Sequence, residues 1–402
     1  MKVPIPVSIK SIASRSLALH IAVIFSATLS AFSTVNFAQT PQISADIPAP
    51  PIAARAYVLF DAGSGQILAQ QAMSDRFEPA SLTKLMTAYI AFQALRDKKL
   101  TLTQTLPVSE RAWRAEGSRM FIDPKQTPTV EQLLRGMIIQ SGNDASITLA
   151  EGIAGSEDLF AQLMNKQARK LGMKNSNFAN ATGLPNPQLY STAEDIAILA
   201  NALINEFPTE IGYYKEREFT HNKITQPNRN RLLWLDPNVD GVKTGHTEAA
   251  GYCLITSARR GERRLIAVVV GAASDNARTL ESQRLLNYGF QFYDTVRLYQ
   301  REQEVTSIQL WKGAQNMLKA GFSHDLYFSL PSEYRGKSDK LKATVEYKQP
   351  LLAPINAGQT VGKVKFVLDG KAVVEYPLVA LETVAVASIF GRAWDSMRLL
   401  FN

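Results

Sequence analysis

Ser81 and Lys84 stand three positions apart in Glu78-Pro-Ala-Ser-Leu-Thr-Lys-Leu-Met86. On a helix that spacing is about one turn, which sets the hydroxyl and the amine on one face. A serine at a helix start is ordinarily a cap, but a stabilising box would place Glu or Gln three positions on. This chain instead has a cation near the positive end of the helix dipole. The field there favours the neutral amine, which can take the Ser81 proton while nearby backbone N–H groups hold an oxyanion. Ser-x-x-Lys alone is a common string. Two other groups are equally plain by themselves. Gln140-Ser141-Gly142-Asn143-Asp144 reads as a turn with Asp144 capping a helix from Ala145, and Asp240-Gly-Val-Lys243-Thr244-Gly245-His246 reads as a surface strand edge.

Together the three groups match the set described for penicillin-binding proteins and serine β-lactamases, with Gly142 where that set has Asp. Asn228-Arg229-Asn230, Leu232-Leu-Trp234, Val239 to Thr247 and Gly251-Tyr252 narrow the match. From about Arg55 to Leu298 the chain resembles the low-molecular-mass D-alanyl-D-alanine carboxypeptidases. The resemblance implies an α/β catalytic domain of the serine β-lactamase and transpeptidase kind: an antiparallel sheet flanked by helices, a helical insertion, and a cleft between them. It also implies roles. Ser81 attacks the carbonyl between two terminal D-alanines, Lys84 is the base, and the backbone N–H groups of Ser81 and His246 form the oxyanion hole. Ser141 relays a proton to the leaving amine and Asn143 holds the substrate amide. In the Lys243-Thr244-Gly245 strand, Lys243 keeps the cleft electropositive and Thr244 hydrogen-bonds the terminal carboxylate. Which of the two lysines is neutral stays open. The implied substrate is the peptidoglycan stem pentapeptide, with β-lactam antibiotics as inhibitors and no cofactor.

A substrate with a free carboxylate needs a cation outside the chemistry, and arginine suits a planar bidentate partner. Arg229 and Arg278 are the candidates, although Arg278 reads equally well as an arginine packed on a loop. No acid at a recognisable spacing makes His246 a triad base, so only its backbone is credited. A class A β-lactamase adds a carboxylate for the deacylating water; Lys174-Asn-Ser-Asn-Phe-Ala-Asn180 has none, which disfavours rapid antibiotic hydrolysis. A D,D-endopeptidase acting on cross-links would share the site. A wall-shape scaffold with vestigial acylation is the alternative from another class.

The surrounding pattern supplies the frame. Ala56 to Phe60 and Gln66 to Ala69 flank the turn composition Asp61-Ala-Gly-Ser-Gly65, predicting an opening hairpin. Helical spacing follows at Leu82, Leu85, Met86, Tyr89, Ile90, at Val130, Leu133, Leu134, Met137, Ile138, at Leu159, Leu163, and at Ile196, Leu199, Leu203. Tyr252 to Ser257 and Leu265 to Val270 predict a second hairpin, and Asp275 caps a helix carrying Leu280, Leu285, Leu286 and Phe290. Beyond about Arg297 short alternating runs replace helical spacing: Val305 to Trp311, Leu326 to Leu330, Lys342 to Tyr347, Thr360 to Val367 and Ala372 to Leu378. They predict a separate small β-sandwich or barrel.

The termini read differently. Lys2, Lys10 and Arg15, the apolar run Leu17 to Ala31, and small residues at Ala31, Ser33 and Ala38 predict a secretory signal over residues 1–38, cleaved after Ser33 or Ala38. A Pro-rich tether spans 39–54, the catalytic domain 55–297, the β-rich domain 298–381 and an amphipathic segment 382–402. In that last segment Val386, Ile389, Phe390, Ala393, Trp394, Met397, Leu400 and Phe401 fall on one side, predicting a helix that lies on an anionic membrane surface. The chain is then exported and held peripherally on the periplasmic face of the inner membrane. Composition agrees: 46% hydrophobic and 20% charged residues describe a globular chain, and the formal charge of +8 comes without basic runs interleaved with aromatics, so no nucleic-acid surface is expected. One cysteine and four histidines leave no zinc-type spacing, so no metal is expected. Cys253 reads as a small core residue of a strand.

Overall fold

The computed structural model describes residues 1–5, 48–123 and 125–400. The apolar leader run, both candidate cleavage points and Phe401 lie outside the described residues. Both predicted hairpins belong to one five-stranded antiparallel sheet, in the order Ile67–Gln71, Ala56–Asp61, Arg263–Ala272, Gly251–Arg260, Val239–Thr247. Its central strand is buried on both faces. Ile266, Val268 and Val270 pack with the helical insertion, while Leu265, Ala267 and Val269 pack under the helix Asp275–Phe292. Unbroken β-branched and apolar runs are what a sheet sandwiched between helices requires.

The insertion between Gln71 and Val239 holds the helices Lys84–Arg96, Val130–Ile139, Asn143–Ala154, Glu157–Leu171 and Ala193–Glu206. Their ends are set by side chains: Thr129 with Gln132 forms a reciprocal capping box, and Ser156 and Thr192 cap the last two helices. Three sequence expectations shift in detail. Leu159 and Leu163 are exposed, because Phe160, Met164 and Ala168 offer the same period on the adjacent face and are larger or better placed for the core. Ser274, not Asp275, caps the last catalytic helix, its hydroxyl accepting from the Ala277 N–H. The helix after Ser141 starts at Asn143 rather than Ala145, with Gly142 in the capping position.

The β-rich region begins with strand Tyr293–Tyr299, which follows the helix directly and pairs antiparallel with Leu326–Pro331. Against this pair lies a sheet in the order Lys2–Ile5, Leu341–Glu346, Thr360–Leu368, Lys371–Ala380, Met317–Gly321, Glu304–Trp311, Leu351–Leu352. Leu298, Ile308, Leu318, Phe328, Val364 and Phe366 fill the space between. Alternation of buried and exposed residues along Leu341–Glu346 and Thr360–Leu368 produces the two-layer packing. Hydrogen bonds join the domains: Thr295 to the buried Asp61 carboxylate at 2.5 Å, and Ser64 with Ser329 at 2.6 Å. Val384 is still part of this β layer, bridged to Ile355, and the terminal helix runs only over Ile389–Arg398, capped by Ser388.

Candidate active site

Ser81 occupies a 3-10 turn, Ala80–Thr83, that runs straight into the helix Lys84–Arg96. It caps nothing: the turn begins after Pro79 without a side-chain cap. Ala80 before it is held at φ 48°, a left-handed conformation that costs a residue with a Cβ about 1–3 kcal/mol and marks a fixed backbone. The Lys84 Nζ donates to Ser81 Oγ at 3.0 Å and to the Thr182 carbonyl at 2.6 Å. Lys84 is only 1% exposed. Burial is the main force lowering its pKa to about 7 from an ordinary 10.5; Arg229 adds repulsion, while Asp144 and Glu157 pull the other way.

The second group sits where the chain leaves the helix Val130–Ile139. Ser141 is left-handed too, at φ 70°, and its Oγ is buried with no hydrogen-bond partner among the described residues. Asn143 donates its Nδ2 to the Glu116 carbonyl at 2.6 Å. Glycine at 142 has a steric reason: a Cβ there would lie 2.8 Å from Asp144 Oδ1 and 3.1 Å from Met120 N. Asp144 does not cap the following helix from outside. It is buried within the first turn, and its carboxylate accepts from the N–H groups of Met120, Ile122 and Ala145, tying the segment around Met120 to the Ser141 turn.

Lys243, Thr244 and Gly245 lie on Val239–Thr247, the sheet's edge strand, whose unpaired edge faces the Ser81 turn. The approach is close: a Cβ on Gly245 would meet Leu82 at 3.2 Å and the Pro79 carbonyl at 3.3 Å. Thr247 fastens the two by donating to Glu78 at 3.0 Å. Lys243 is buried, its Nζ directed to the Thr244 carbonyl at 3.0 Å; desolvation first, then Lys84, Arg229 and Arg278, push its pKa well below the ordinary value. His246 is exposed and rests on Tyr252, ring centroids 4.1 Å apart. Cys253 is buried one strand over, paired with Gly245.

The two arginines part company. Arg229 sits on the loop braced by Asn228 and Asn230, the latter reaching the Gly241 carbonyl at 3.0 Å. Its exposed side chain has no hydrogen bond or ion pair among the described residues, and its field reaches both lysines. Arg278 is buried behind the edge strand, donating to the carbonyls of Gly245 at 3.2 Å and Cys253 at 3.5 Å and to Asp275. Its Nη1 supports the strand and its Nη2 meets Asp275 on its own helix, while Nε is buried without a partner among the described residues, so the geometry gives Arg278 a bracing role behind the edge strand.

Several residues that complete the site carry no sequence signal of their own. Thr182 supplies a backbone carbonyl, which any residue would have. Asn180 folds the loop by accepting from the N–H groups of Thr182 and Gly183. Gly183, at φ 82°, packs so tightly under the Ser81 turn that a Cβ would fall 1.7 Å from the Ala80 carbonyl oxygen. Glu157, buried and far in sequence, accepts from the Ala181 N–H at 2.9 Å. An acid three residues before a helical apolar pattern reads as first-turn dipole compensation, which is also true of it.

The assembled residues are therefore a hydroxyl hydrogen-bonded to a desolvated amine, a second unpartnered hydroxyl, an open sheet edge and an unpaired arginine. Known proteins share the sequence and fold that carry this arrangement. Residues 42–274 match the peptidase family described as D-alanyl-D-alanine carboxypeptidase, and residues 293–386 match the C-terminal domain of penicillin-binding protein 5. D-alanyl-D-alanine carboxypeptidase DacC of Escherichia coli (strain K12) is 43% identical over 89% of this chain and 90% of its own, and DacA of the same strain is 40% identical over 94% and 95%. Penicillin-binding protein 5 from Haemophilus influenzae superposes with a TM-score of 0.80 at 40% identity, covering 84% of this chain and 99% of that one. Penicillin-binding protein D2 from Listeria monocytogenes, in its ampicillin-bound form, covers 61% of this chain and 100% of its own with a TM-score of 0.57 at 31% identity. On the sequence, the two-domain fold and this site, the chain belongs to the serine-type D-alanyl-D-alanine carboxypeptidases, the low-molecular-mass penicillin-binding proteins.

Proposed function

We propose that the chain removes the terminal D-alanine from peptidoglycan stem pentapeptides through a Ser81 acyl-enzyme, with Lys84 as the base. The observation that carries this is the 3.0 Å contact between Lys84 Nζ and Ser81 Oγ, with Lys84 desolvated and hydrogen-bonded to no carboxylate. Neutral Lys84 takes the Ser81 proton as Oγ attacks the penultimate carbonyl. The backbone N–H groups of Ser81 and His246 stabilise the oxyanion. The C–N bond then breaks and a proton reaches the departing amine through Ser141, whose buried hydroxyl is free to accept and donate. Water hydrolyses the ester by the reverse exchange. Asn143 and the open edge of Val239–Thr247 orient the peptide; Arg229 and Thr244 take its terminal carboxylate. A β-lactam enters by the same attack, consistent with ampicillin bound to the Listeria monocytogenes relative.

Released D-alanine from a pentapeptide, measured beside cleavage of a cross-linked dimer, tests the substrate. Release exceeding dimer cleavage, abolished in Ser81→Ala along with penicillin labelling, is expected. A Ser81→Ala protein that still labels, or a protein that cleaves only the dimer, refutes it.

We also infer an exported enzyme, its signal removed and with it the edge strand Lys2–Ile5, resting on the membrane by its last helix. In support, the helix meets the β domain with its polar side: Asp395 accepts from the Lys312 N–H at 2.6 Å and Arg398 stacks over Trp311. Ile389, Phe390, Trp394, Met397 and Leu400 are left exposed, Phe390 at 88%. A helix docked through its apolar stripe would have buried these. Two arginines and an aspartate suit the headgroup layer, and no described helix is long and apolar enough to cross a membrane. Deleting residues 388–402, which leaves the β-layer residues Val384 and Val386 in place, should move active enzyme from the membrane fraction to the soluble periplasm; retention on the membrane would contradict the anchor.

A further inference from the structure

Behind Lys84 lies a chain of contacts that the proposed chemistry does not use. Residue Ala181 is held on both sides: Glu157 accepts its N–H at 2.9 Å, and Thr87 Oγ1 donates to its carbonyl at 2.8 Å. Thr87 is on the same helix as Lys84, one turn on. The next carbonyl, that of Thr182, is thereby aimed at Lys84 Nζ, 2.6 Å away. On its far side Glu157 is paired with Arg111, whose side chain is 61% exposed. Glu157 itself is 4% exposed and on a different helix from any of the three sequence boxes.

We propose that Glu157 is a positioning residue for the reaction: it fixes Ala181, the neighbour of the Thr182 carbonyl that seats the Lys84 amine beside Ser81, and its buried carboxylate adds a negative charge to the field around that amine. This rests on the reading of Lys84 as the base. A buried carboxylate costs several kcal/mol in desolvation even when paired, so a chain keeps one where its field or its geometry is used. Both uses are visible. The peptide clamp is geometric. The field raises the proton affinity of Lys84 against burial and Arg229, alongside Asp144, while Lys243 faces the same amine from the edge strand. Glu157 is not itself a base for the deacylating water, since its two oxygens are taken by the Ala181 N–H and by Arg111, and it makes no hydrogen bond to Ser81 or Lys84.

The test compares Glu157→Gln, Glu157→Asp and Arg111→Gln, reading the rate of Ser81 acylation by benzylpenicillin against pH and titrating Lys84 by NMR of ε-13C-labelled lysine. Removing the charge in Glu157→Gln should move the Lys84 titration and the acid limb of acylation to lower pH by about half a unit or more, and lower the plateau roughly tenfold through the loosened peptide. Glu157→Asp keeps the charge but withdraws it by one methylene, so its plateau falls while its limb stays near that of the parent. Arg111→Gln, at the exposed end, uncovers the carboxylate and should move the limb to higher pH. An unmoved Lys84 titration in both Glu157→Gln and Arg111→Gln overturns the proposal, as does a Glu157→Gln protein whose plateau, limb and Lys84 titration all match the parent's. Should Glu157→Gln fail to fold, Arg111→Gln decides alone. The NMR titration reports Lys84 whether or not Lys84 is the base, so a shifted titration with unshifted kinetics would count against the base assignment and not against Glu157.

Discussion

Lysines in the two domains are treated in opposite ways. In the catalytic domain Lys84 and Lys243 are buried, meet carbonyl and hydroxyl oxygens rather than carboxylates, and are driven towards the neutral form. In the β domain Lys363 and Lys365 lie on a sheet surface between Glu346 and Glu375, and hydrogen bonds to those carboxylates raise the Lys365 pKa. One arrangement favours the neutral amine and costs stability; the other satisfies a cross-strand ladder. Backbone strain does not divide this way: Ala80 and Ser141 are left-handed inside the site, and Glu302, Lys312 and Asp369 are left-handed in the β domain. The difference teaches that the buried lysines, Lys84 and Lys243, gather at the candidate site, where the proposed chemistry moves a proton.

The hardest blow to this contrast is Lys84→Arg. It restores a permanent charge at the buried position, and acylation by penicillin should fall by about a hundredfold or more. Near-parental acylation by the folded variant would remove Lys84 as the base. Next in size, Arg229→Ala or Thr244→Ala should slow D-alanine release far more than acylation by a penicillin ester lacking the carboxylate, the charged contact being worth about 1.5–3 kcal/mol. Equal losses on the two ligands would mean that neither residue reads the carboxylate.

A pH effect on stability follows from the catalytic lysine. Its folded pKa lies near 7 and its ordinary one at 10.5, so between those values the unfolded chain binds more protons. Stability should therefore rise as pH increases from about 7 towards 10.5, and Lys84→Met should flatten that rise in denaturant titrations. An unchanged slope would place Lys84 among ordinary charged lysines. Smallest of all, Lys365→Ala should change stability by less than about 1 kcal/mol and leave acylation untouched. A larger loss would mean that the β-domain ladder is no mere surface.

How much could be read beforehand depended on whether a residue acts through its side chain or its backbone. Ser81, Lys84, Ser141 and Lys243 announce themselves because chemistry restricts their identity, and both hairpins follow from period-two runs around turn residues. The Thr182 carbonyl could belong to any residue, and Glu157 reaches it only through the folded loop. Both arginines are candidates in the sequence, Arg278 with an equal claim to packing; the position of the strand Val239–Thr247 separates a buried brace from an exposed side chain. Leu159 and Leu163 fit helical spacing as well as Phe160 and Met164 do, and tertiary packing chose between the faces. The terminal helix starts later than its apolar stripe because Val386, the first residue of that stripe, is bridged to Gly313 in the β layer.

The central claim is that burial makes Lys84 a base near neutral pH. The rate at which benzylpenicillin acylates Ser81, followed from pH 5 to 11 in the unmodified protein, tests it most directly. The account predicts a rate that climbs with pH and reaches half its plateau near the Lys84 value of about 7. A rate that is flat across that range, or one that rises only near the ordinary lysine value, would contradict it.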